Sequence, residues 1–377
     1  MYKIIPYTEN DLIQIGARYH NTKRNYLLIN PLQGKHIPVS PTESLDMFTT
    51  LGEKLYRKYP ETKLVIGFAE TATAIGAAVA SMFPDCKYIC TTRENFPGKE
   101  KLEFLEEHSH AAEQTLITEN LKQYFNDTNT VIFVDDELST GKTMRNILSQ
   151  LKAAYPELNE KTLVIASLIN RLDAANTELM AKEHIICESL IQIENIDYTN
   201  IVLPMLYEIK PARPVSRKKN TICQTIMSNP YTTIDPRIGT DIYNYDELCE
   251  KLTDVILRYA PQMLSKKIMI IGTEECMYPA IMIGKHLENI GYSVKTHSTT
   301  RSPIGIMDEP SYPIRNGYML PSFYDMMRET YLYNVEPATD ETVIIVTDAA
   351  SPSDEAISAL TTLLTEHGTT NMIIMKI

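Results

Sequence analysis

The residues best suited to chemistry in this 377-residue chain stand close together, between Val131 and Thr143, in VIFVDDELSTGKT. Two adjacent carboxylates, Asp135 and Asp136, follow four apolar residues, and Ser139-Thr140-Gly141 then opens the helix-like stretch TMRNILSQLKAAY. Backbone N–H groups and hydroxyls at a helix N-terminus cradle a phosphate. Carboxylates beside such a cradle repel a second anion and suit sugar hydroxyls or a magnesium ion. A phosphate and a vicinal diol bound side by side describe a ribose 5-phosphate site. STGKT also ends like a nucleotide-binding P-loop, but the first glycine of G-x-x-x-x-G-K-[ST] would fall on Asp136, whose charge opposes a triphosphate. A plain strand–turn–helix with polar turn residues also accommodates the apolar run.

The elements that must position these residues can be read around them. Val131-Ile132-Phe133-Val134 reads as a short strand buried on both faces. The first half alternates strands (63–69, 87–93, 131–134, 162–169) with helical stretches such as AIGAAVASMF. That alternation predicts an α/β fold with a parallel sheet, whose ligands bind beyond the carboxyl ends of the strands. Four loops fall there: Glu70-Thr71-Ala72-Thr73, Thr91-Thr92-Arg93, the 135–143 turn, and Asn170-Arg171-Leu172-Asp173.

The length favours two domains. A formal charge of −12 argues against a general nucleic-acid binder, which needs basic surface to displace counterions. An anionic substrate must then be met by local backbone donors, a few basic side chains and a metal. The six cysteines have no C-x-x-C pair and read as reduced thiols of a cytoplasmic protein. MYKIIPYTENDL lacks a secretory layout, and no apolar run is long enough to span a membrane. KPARPVSRKKN (210–220) has two prolines, several basic residues and no acid, marking a linker over 210–221 between domains 1–209 and 222–377. Arg213, Arg217, Lys218 and Lys219 could alternatively fold over an anionic ligand.

The second half repeats the order of the first. KIMIIGTEECMYPAIMIGKHL lies over KLVIGFAETATAIGAAVASMF, setting Glu274 on Glu70; STTRSP lies over CTTREN, setting Arg301 on Arg93. TVIIVTDAASPSDEAISAL lies over TVIFVDDELSTGKTMRNIL, setting Asp348 on Asp136. The expectation is two tandem parallel-sheet units, the second degenerate. Asp135 becomes Thr347, and the cradle becomes Ser351-Pro352-Ser353-Asp354-Glu355, with one N–H fewer and two repelling carboxylates.

The 131–143 segment resembles the phosphoribosyl pyrophosphate (PRPP) motif of type I phosphoribosyltransferases, departing from it at Glu137, where that family usually has an apolar or small residue. The resemblance implies that Asp135 and Asp136 hold the ribose 2′- and 3′-hydroxyls directly or through Mg²⁺, and that Ser139, Thr140, Gly141, Lys142 and Thr143 take the 5′-phosphate. Glu70-Thr71-Ala72-Thr73 would meet pyrophosphate. TTRENFPGKEKLEFLEEHSHA (91–111) looks like a hood that closes over PRPP, with Arg93, Lys99 and Lys101 on the leaving pyrophosphate. His108 and His110 would contact phosphate or acceptor, an H-x-H pair alone being a weak sign of zinc. Arg24, Lys35 and His36 near the N-terminus, with Asn170 and Arg171, would line the hood or the acceptor site.

Over its whole length the chain resembles a narrower family, an orotate-phosphoribosyltransferase-like domain joined to a C-terminal domain named for Thr300-Arg301-Ser302-Pro303. GKHIPV, GFAETAT, EEHSHA, GTEECMYPA and ETYLYN carry that likeness. Members lie in bacterial gene clusters for tellurite and stress resistance and are associated with synthesis of a nucleoside-like metabolite. The implied reaction is attack of an acceptor nitrogen on C1 of PRPP, with release of pyrophosphate. Asp136 and Glu137 are candidate proton acceptors, and Glu274, Glu275, Tyr278, Thr300, Arg301 and Ser302 form a second-domain site. Expected partners are PRPP, a small-molecule acceptor and a second copy in a homodimer, with no nucleic acid or membrane. A PRPP-sensing regulator without turnover, or ribosyl transfer or phosphorolysis from another donor, are the alternatives.

Overall fold

The computed structural model describes residues 4–18, 24–104, 114–202, 221–227, 234–336 and 341–377, with the backbone of 210–211. They form two compact units that interleave along the chain. The first takes 45–196 and 233–248 with the extreme N-terminus; the second takes 8–44, 197–232 and 249–377. This departs from a single boundary at 210–221, and pairing explains why. Val39 and Thr296 exchange backbone hydrogen bonds of 3.1 and 2.7 Å, carrying the early segment into the second unit. Thr240 pairs with Tyr88, and Cys90 N donates to Pro236 O at 2.9 Å, carrying the later one into the first. The basic arm's Arg213, Arg217, Lys218 and Lys219 lie outside the described residues.

The first unit is built on β1 (Leu64–Gly67), α1 (Ala72–Ala80), β2 (Lys87–Cys90), β3 (Lys101–Phe104), β4 (Gln114–Ile117), β5 (Thr130–Leu138), α2 (Lys142–Ala154), β6 (Thr162–Asn170), α3 (Ala174–Lys182) and β7 (Ile185–Gln192). The main sheet runs β2-β1-β5-β6-β7, all parallel, with the short strand Thr240–Asp241 antiparallel on β2. Its central strands are apolar on both faces, as a sheet covered by helices requires. Leu64, Ile66, Phe133 and Ile165 pack there with Met144, Ile147, Leu148 and Leu151, the buried stripe of α2. β3 and β4 form a separate antiparallel ribbon in what reads as a long polar segment.

β5 outruns its apolar stretch. Pairing with β6 continues through Asp135↔Ser167 and Glu137↔Ile169 to Leu138↔Asn170, so all three acids belong to the strand's carboxyl end.

The second unit carries β8 (Ile222–Met227), β9 (Lys267–Gly272), α4 (Met277–Asn289), β10 (Ser293–Ser298), β11 (Gly317–Pro321), β12 (Glu329–Tyr333), β13 (Glu341–Thr347), α5 (Asp354–Glu366) and β14 (Asn371–Lys376). Its sheet is wholly parallel in the order β8-β14-β13-β9-β10, while β11 and β12 form an antiparallel hairpin. Ile345, Val343, Leu360, Leu363 and Met372 lie in its core. Among the described residues no helix is long and apolar enough to cross a membrane.

Candidate active site

All four expected loops lie at the carboxyl edge of the first unit's sheet. Phe68 N donates to Val134 O at 3.0 Å, and Ala69 N donates to Thr91 Oγ1 at 2.8 Å. The loops after β1, β2 and β5 are thereby tied to one another.

On β5 the two aspartates are crowded. Asp135 accepts the Asp136 amide at 2.9 Å. Burial, then the Asp136 carboxylate, and last Glu137 push the Asp135 carboxyl well above the usual range. Two hard oxygen donors held together against their repulsion suit Mg²⁺, which takes one or two carboxylates and completes its shell from substrate phosphates and water. Among the described residues no group of three or more His, Cys, Asp or Glu is placed to hold a metal; His108 and His110 lie outside them.

The cradle follows directly. Gly141 sits in the left-handed region at φ +69° as the N-cap of α2, where it has no side chain to cap the helix, and Lys142 N donates to Thr140 Oγ1 at 3.4 Å. Its first turn carries no acid. Thr140, Lys142 and Thr143 are exposed and Ser139 half-buried. The start of a helix carries N–H groups without partners inside the helix itself, and here it stands just beyond two carboxylates.

In the loop after β1, Glu70 and Thr73 are buried and Thr71 is half-buried. Thr73 Oγ1 donates to Glu70 O at 3.2 Å, and Tyr88 OH donates to Thr73 O at 2.6 Å. Thr71 is therefore the member that this loop offers outward.

Several expected contacts are arranged differently. Arg171, expected at the hood or acceptor, is 1% exposed and donates from Nη1 to Glu137 Oε1 at 2.9 Å. A buried guanidinium engaged in this way is turned from any substrate, and Glu137, expected as a proton acceptor, is the carboxylate it neutralises. Asn170 accepts Leu172 N at 2.9 Å, shaping the turn. Lys99 pairs with Glu119 at 3.0 Å just outside the ribbon and Lys101 with Glu103 at 2.8 Å on it, while Arg93 is exposed. Arg24, Lys35 and His36 belong to the second unit. There His36 is buried with its ring 6.1 Å from that of Tyr333, and burial, then Lys35 and His297, hold its imidazole well below the ordinary value.

In the second unit Arg301 Nε donates to Glu274 Oε2 at 2.6 Å, and Arg301 Nη2 stands 3.5 Å from Glu275. Thr300 pairs with Tyr331, Ser302 N donates to Thr300 Oγ1 at 3.2 Å, and Tyr278 is buried in α4. Sequence reasoning missed Ser322, Tyr324 and Arg328, between β11 and β12. Arg328 Nη2 donates to Glu274 at 3.0 Å, Ser322 Oγ donates to the same carboxylate, and Tyr324 OH donates to Asp348. Glu274 sits at φ +47°; burial raises its carboxyl, opposed by Arg301 and Arg328.

The first unit is thus an α/β unit with a parallel core, two acids on a central strand and a glycine at the helix start that follows them. Comparison with known families goes further. Residues 12–196 match a family described as phosphoribosyl transferase, and 235–364 match one described as a TRSP domain C terminus to PRTase_2. The first match assigns residues 12–196 to the phosphoribosyltransferases, and the second follows it in the order that its description names. No curated protein matches it. Among solved structures it is similar to the adenine phosphoribosyltransferase of Giardia lamblia complexed with 9-deazaadenine, at 15% identity and a TM-score of 0.37, covering 49% of this chain and 96% of that one. The enzyme of Trypanosoma brucei in complex with AMP, pyrophosphate and ribose-5-phosphate is 14% identical with a TM-score of 0.34, over 49% and 77%. That of Leishmania tarentolae is 16% identical with a TM-score of 0.34, over 51% and 88%.

Proposed function

We propose that the first unit transfers the phosphoribosyl group of PRPP to a nitrogenous, base-like acceptor and releases pyrophosphate, in the making of a nucleoside-like metabolite. The observation that carries this is the crowded Asp135–Asp136 pair on β5, followed within one turn by the acid-free start of α2 at Gly141. In this reading the two carboxylates hold the ribose hydroxyls, and Ser139 to Thr143 hold the 5′-phosphate. Thr71 and its neighbours face pyrophosphate, as does Arg93 from the loop after β2. Mg²⁺, when bound by the acid pair and the substrate, neutralises charge on the leaving pyrophosphate.

The chain's own residues do the rest. As the bond to C1 breaks, positive charge grows on the ribose ring, and carboxylates fixed beside it stabilise that charge without reorganising. In this reading the N–H groups and hydroxyls at the start of α2 hold the phosphate end, so the ring is anchored at two points while C1 is exposed to the acceptor.

We also propose that the second unit is a degenerate copy of the first. The backbone pattern supports this. β10-β9-β13-β14 follows the order of β2-β1-β5-β6. Thr273 N donates to Val346 O at 3.1 Å as Phe68 N does to Val134 O, and Thr299 N donates to Gly272 O at 3.0 Å as Thr91 N does to Gly67 O at 2.9 Å. The pairs Thr92–Thr115 and Thr300–Tyr331 correspond likewise. The match corrects one register: Glu274 N donates to Thr299 Oγ1 at 3.0 Å as Ala69 N does to Thr91 Oγ1 at 2.8 Å, so Glu274 stands on Ala69 rather than on Glu70.

Calorimetric titration of the chain with PRPP and Mg²⁺ tests the main reading, beside Asp135→Asn and Asp136→Asn. Saturable binding that drops at least about tenfold in each variant, the loss of a charge-assisted contact or two, supports it. No binding by the unaltered chain, or equal binding by the variants, sinks it. A PRPP-sensing protein would bind in the same way, and release of pyrophosphate in the presence of small-molecule extracts separates it from an enzyme.

A further inference from the structure

We propose that Arg171 and Glu137 form a positioning pair for the acid site: Arg171 neutralises Glu137 and ties together the carboxyl ends of three neighbouring strands, holding Asp135 and Asp136 where PRPP needs them. This rests on the PRPP reading of that site.

Three observations combine here. The first is connection. Arg171 donates from one end of its guanidinium to Glu137 on β5 at 2.9 Å and from the other to Ile196 O, beyond the end of β7. Its own backbone continues β6, and its N–H donates to Leu138 O at 2.8 Å. Ile193 N donates to Asn170 O at 2.9 Å beside it. One side chain thus spans the edge from β5 across β6 to the segment after β7.

The second observation is burial. Arg171 is among the largest fully buried side chains of the chain, and Glu137 is 16% exposed. The Arg171 side chain is enclosed by the protein, and Glu137 beside it is half-buried. Burying a charge is expensive unless it is paired and hydrogen-bonded, and loss of one partner of a buried pair leaves the other uncompensated.

The third is periodicity. Residues two apart on a strand share a face, so Glu137 follows Asp135 on its own side of β5, about 7 Å further along. Without Arg171 the strand end would carry three uncompensated carboxylates next to a polyanionic substrate. With it, the two aspartates remain the site's net negative charge, sufficient for a divalent cation or hydroxyls. The departure of Glu137 from the small or apolar residue of related motifs is then explained by a partner 34 positions later.

The test compares Arg171→Met, Glu137→Gln and the double variant by calorimetry with PRPP and Mg²⁺, with thermal unfolding on the same samples. Arg171→Met is expected to weaken PRPP about tenfold, from unscreened repulsion at that separation. Glu137→Gln should keep PRPP affinity within about threefold, since glutamine still accepts from the guanidinium. The double variant, with both charges gone, should recover affinity to within about threefold, because removing both partners of a buried pair is often close to neutral. Should Arg171→Met not fold, Arg171→Lys replaces it; it keeps the charge and gives up the span to Ile196 O, and should lose affinity severalfold. A purely structural pair would lower the melting temperature while folded Arg171→Met binds PRPP as the unaltered chain does, and that result overturns the proposal. Recovery absent in the double variant overturns it too. Failure of the unaltered chain to bind PRPP would instead remove the reading on which it rests.

Discussion

Replacing Gly141 by alanine probes the cradle at the point where geometry leaves least choice. At φ +69° an L side chain costs about 1–2 kcal/mol, because Cβ crowds the following carbonyl. The added Cβ would also stand 2.0 Å from Met180 Cε and 3.3 Å from Leu172 Cδ2. Met180 is buried in α3, but its chain is flexible, and driving it from its rotamer costs about 1 kcal/mol. The sum is about 2–3 kcal/mol, shared between two outcomes. If the turn holds, the chain loses that much stability; if the turn relaxes, the N–H groups of α2 swing away and PRPP affinity falls instead. The chain has no tryptophan, so circular dichroism in urea reads stability, and calorimetry with PRPP and Mg²⁺ reads affinity. Repeating the substitution in a Met180→Ala background removes the collision and keeps the backbone cost, so Gly141→Ala should there cost about 1 kcal/mol less. Stability within about 0.5 kcal/mol and unchanged affinity would refute the left-handed cap as a requirement. Equal cost in both backgrounds would refute the collision.

Two further outcomes are expected. His36 is held neutral by burial, with Lys35 and His297 adding to the effect, so its folded value lies below its unfolded one; the stability it permits is present above about pH 6.5 and is lost as pH falls. Between pH 7.5 and 5.5 this imidazole contributes a loss of up to about 1.4 kcal/mol, and His36→Gln should flatten the profile of urea midpoints against pH by that amount; an unaltered slope counts against it. In the second unit, Tyr324→Phe and Arg328→Met should leave PRPP affinity within about twofold and stoichiometry at one per chain, because neither residue serves the site in the first unit; a second bound PRPP, read by calorimetry, would show that the copy is not sealed.

What the sequence made legible is local. The acids, the glycine and the helix behind it are neighbours in the chain, and the β5–α2 unit follows from apolar run, turn chemistry and amphipathic spacing. The four loops at one edge follow from the alternation of strands and helices. What stayed hidden depends on distant partners. The extension of β5 through Leu138 is imposed by pairing with β6, not by hydrophobicity. The role of Arg171 requires knowing that it meets Glu137 across a strand. Ser322, Tyr324 and Arg328 carry no motif, and the turn between β11 and β12 brings them to Glu274 and Asp348. The segment around Lys35 and His36 has no composition signal that it pairs with β10 through Val39 and Thr296. The one-residue register difference at Glu274 is invisible because two glutamates, 274 and 275, stand side by side.

The contrast between the two sheet edges says why only one of them is expected to take a ligand. At the first, Asp135 and Asp136 crowd each other and α2 begins at a glycine with no acid in its first turn; the crowding costs stability in the empty protein, and a bound cation and diol would relieve it. At the second, Thr347, which would stand for Asp135 in the proposed repeat, has a hydroxyl that accepts from Thr273 Oγ1 at 2.9 Å. Asp348 is met by Tyr324, and Glu274 by two arginines and a serine. The helix start is closed as well: Ser353 Oγ accepts Ala356 N at 3.1 Å, and Asp354 and Glu355 fill the first turn of α5, satisfying the dipole that a phosphate would otherwise meet. Each group a sugar phosphate could engage there already has a partner from the chain itself. An edge that is complete gains nothing from such a ligand, whereas an edge with its repulsion unrelieved does. That physical criterion favours β5 and α2 as the place of the proposed chemistry.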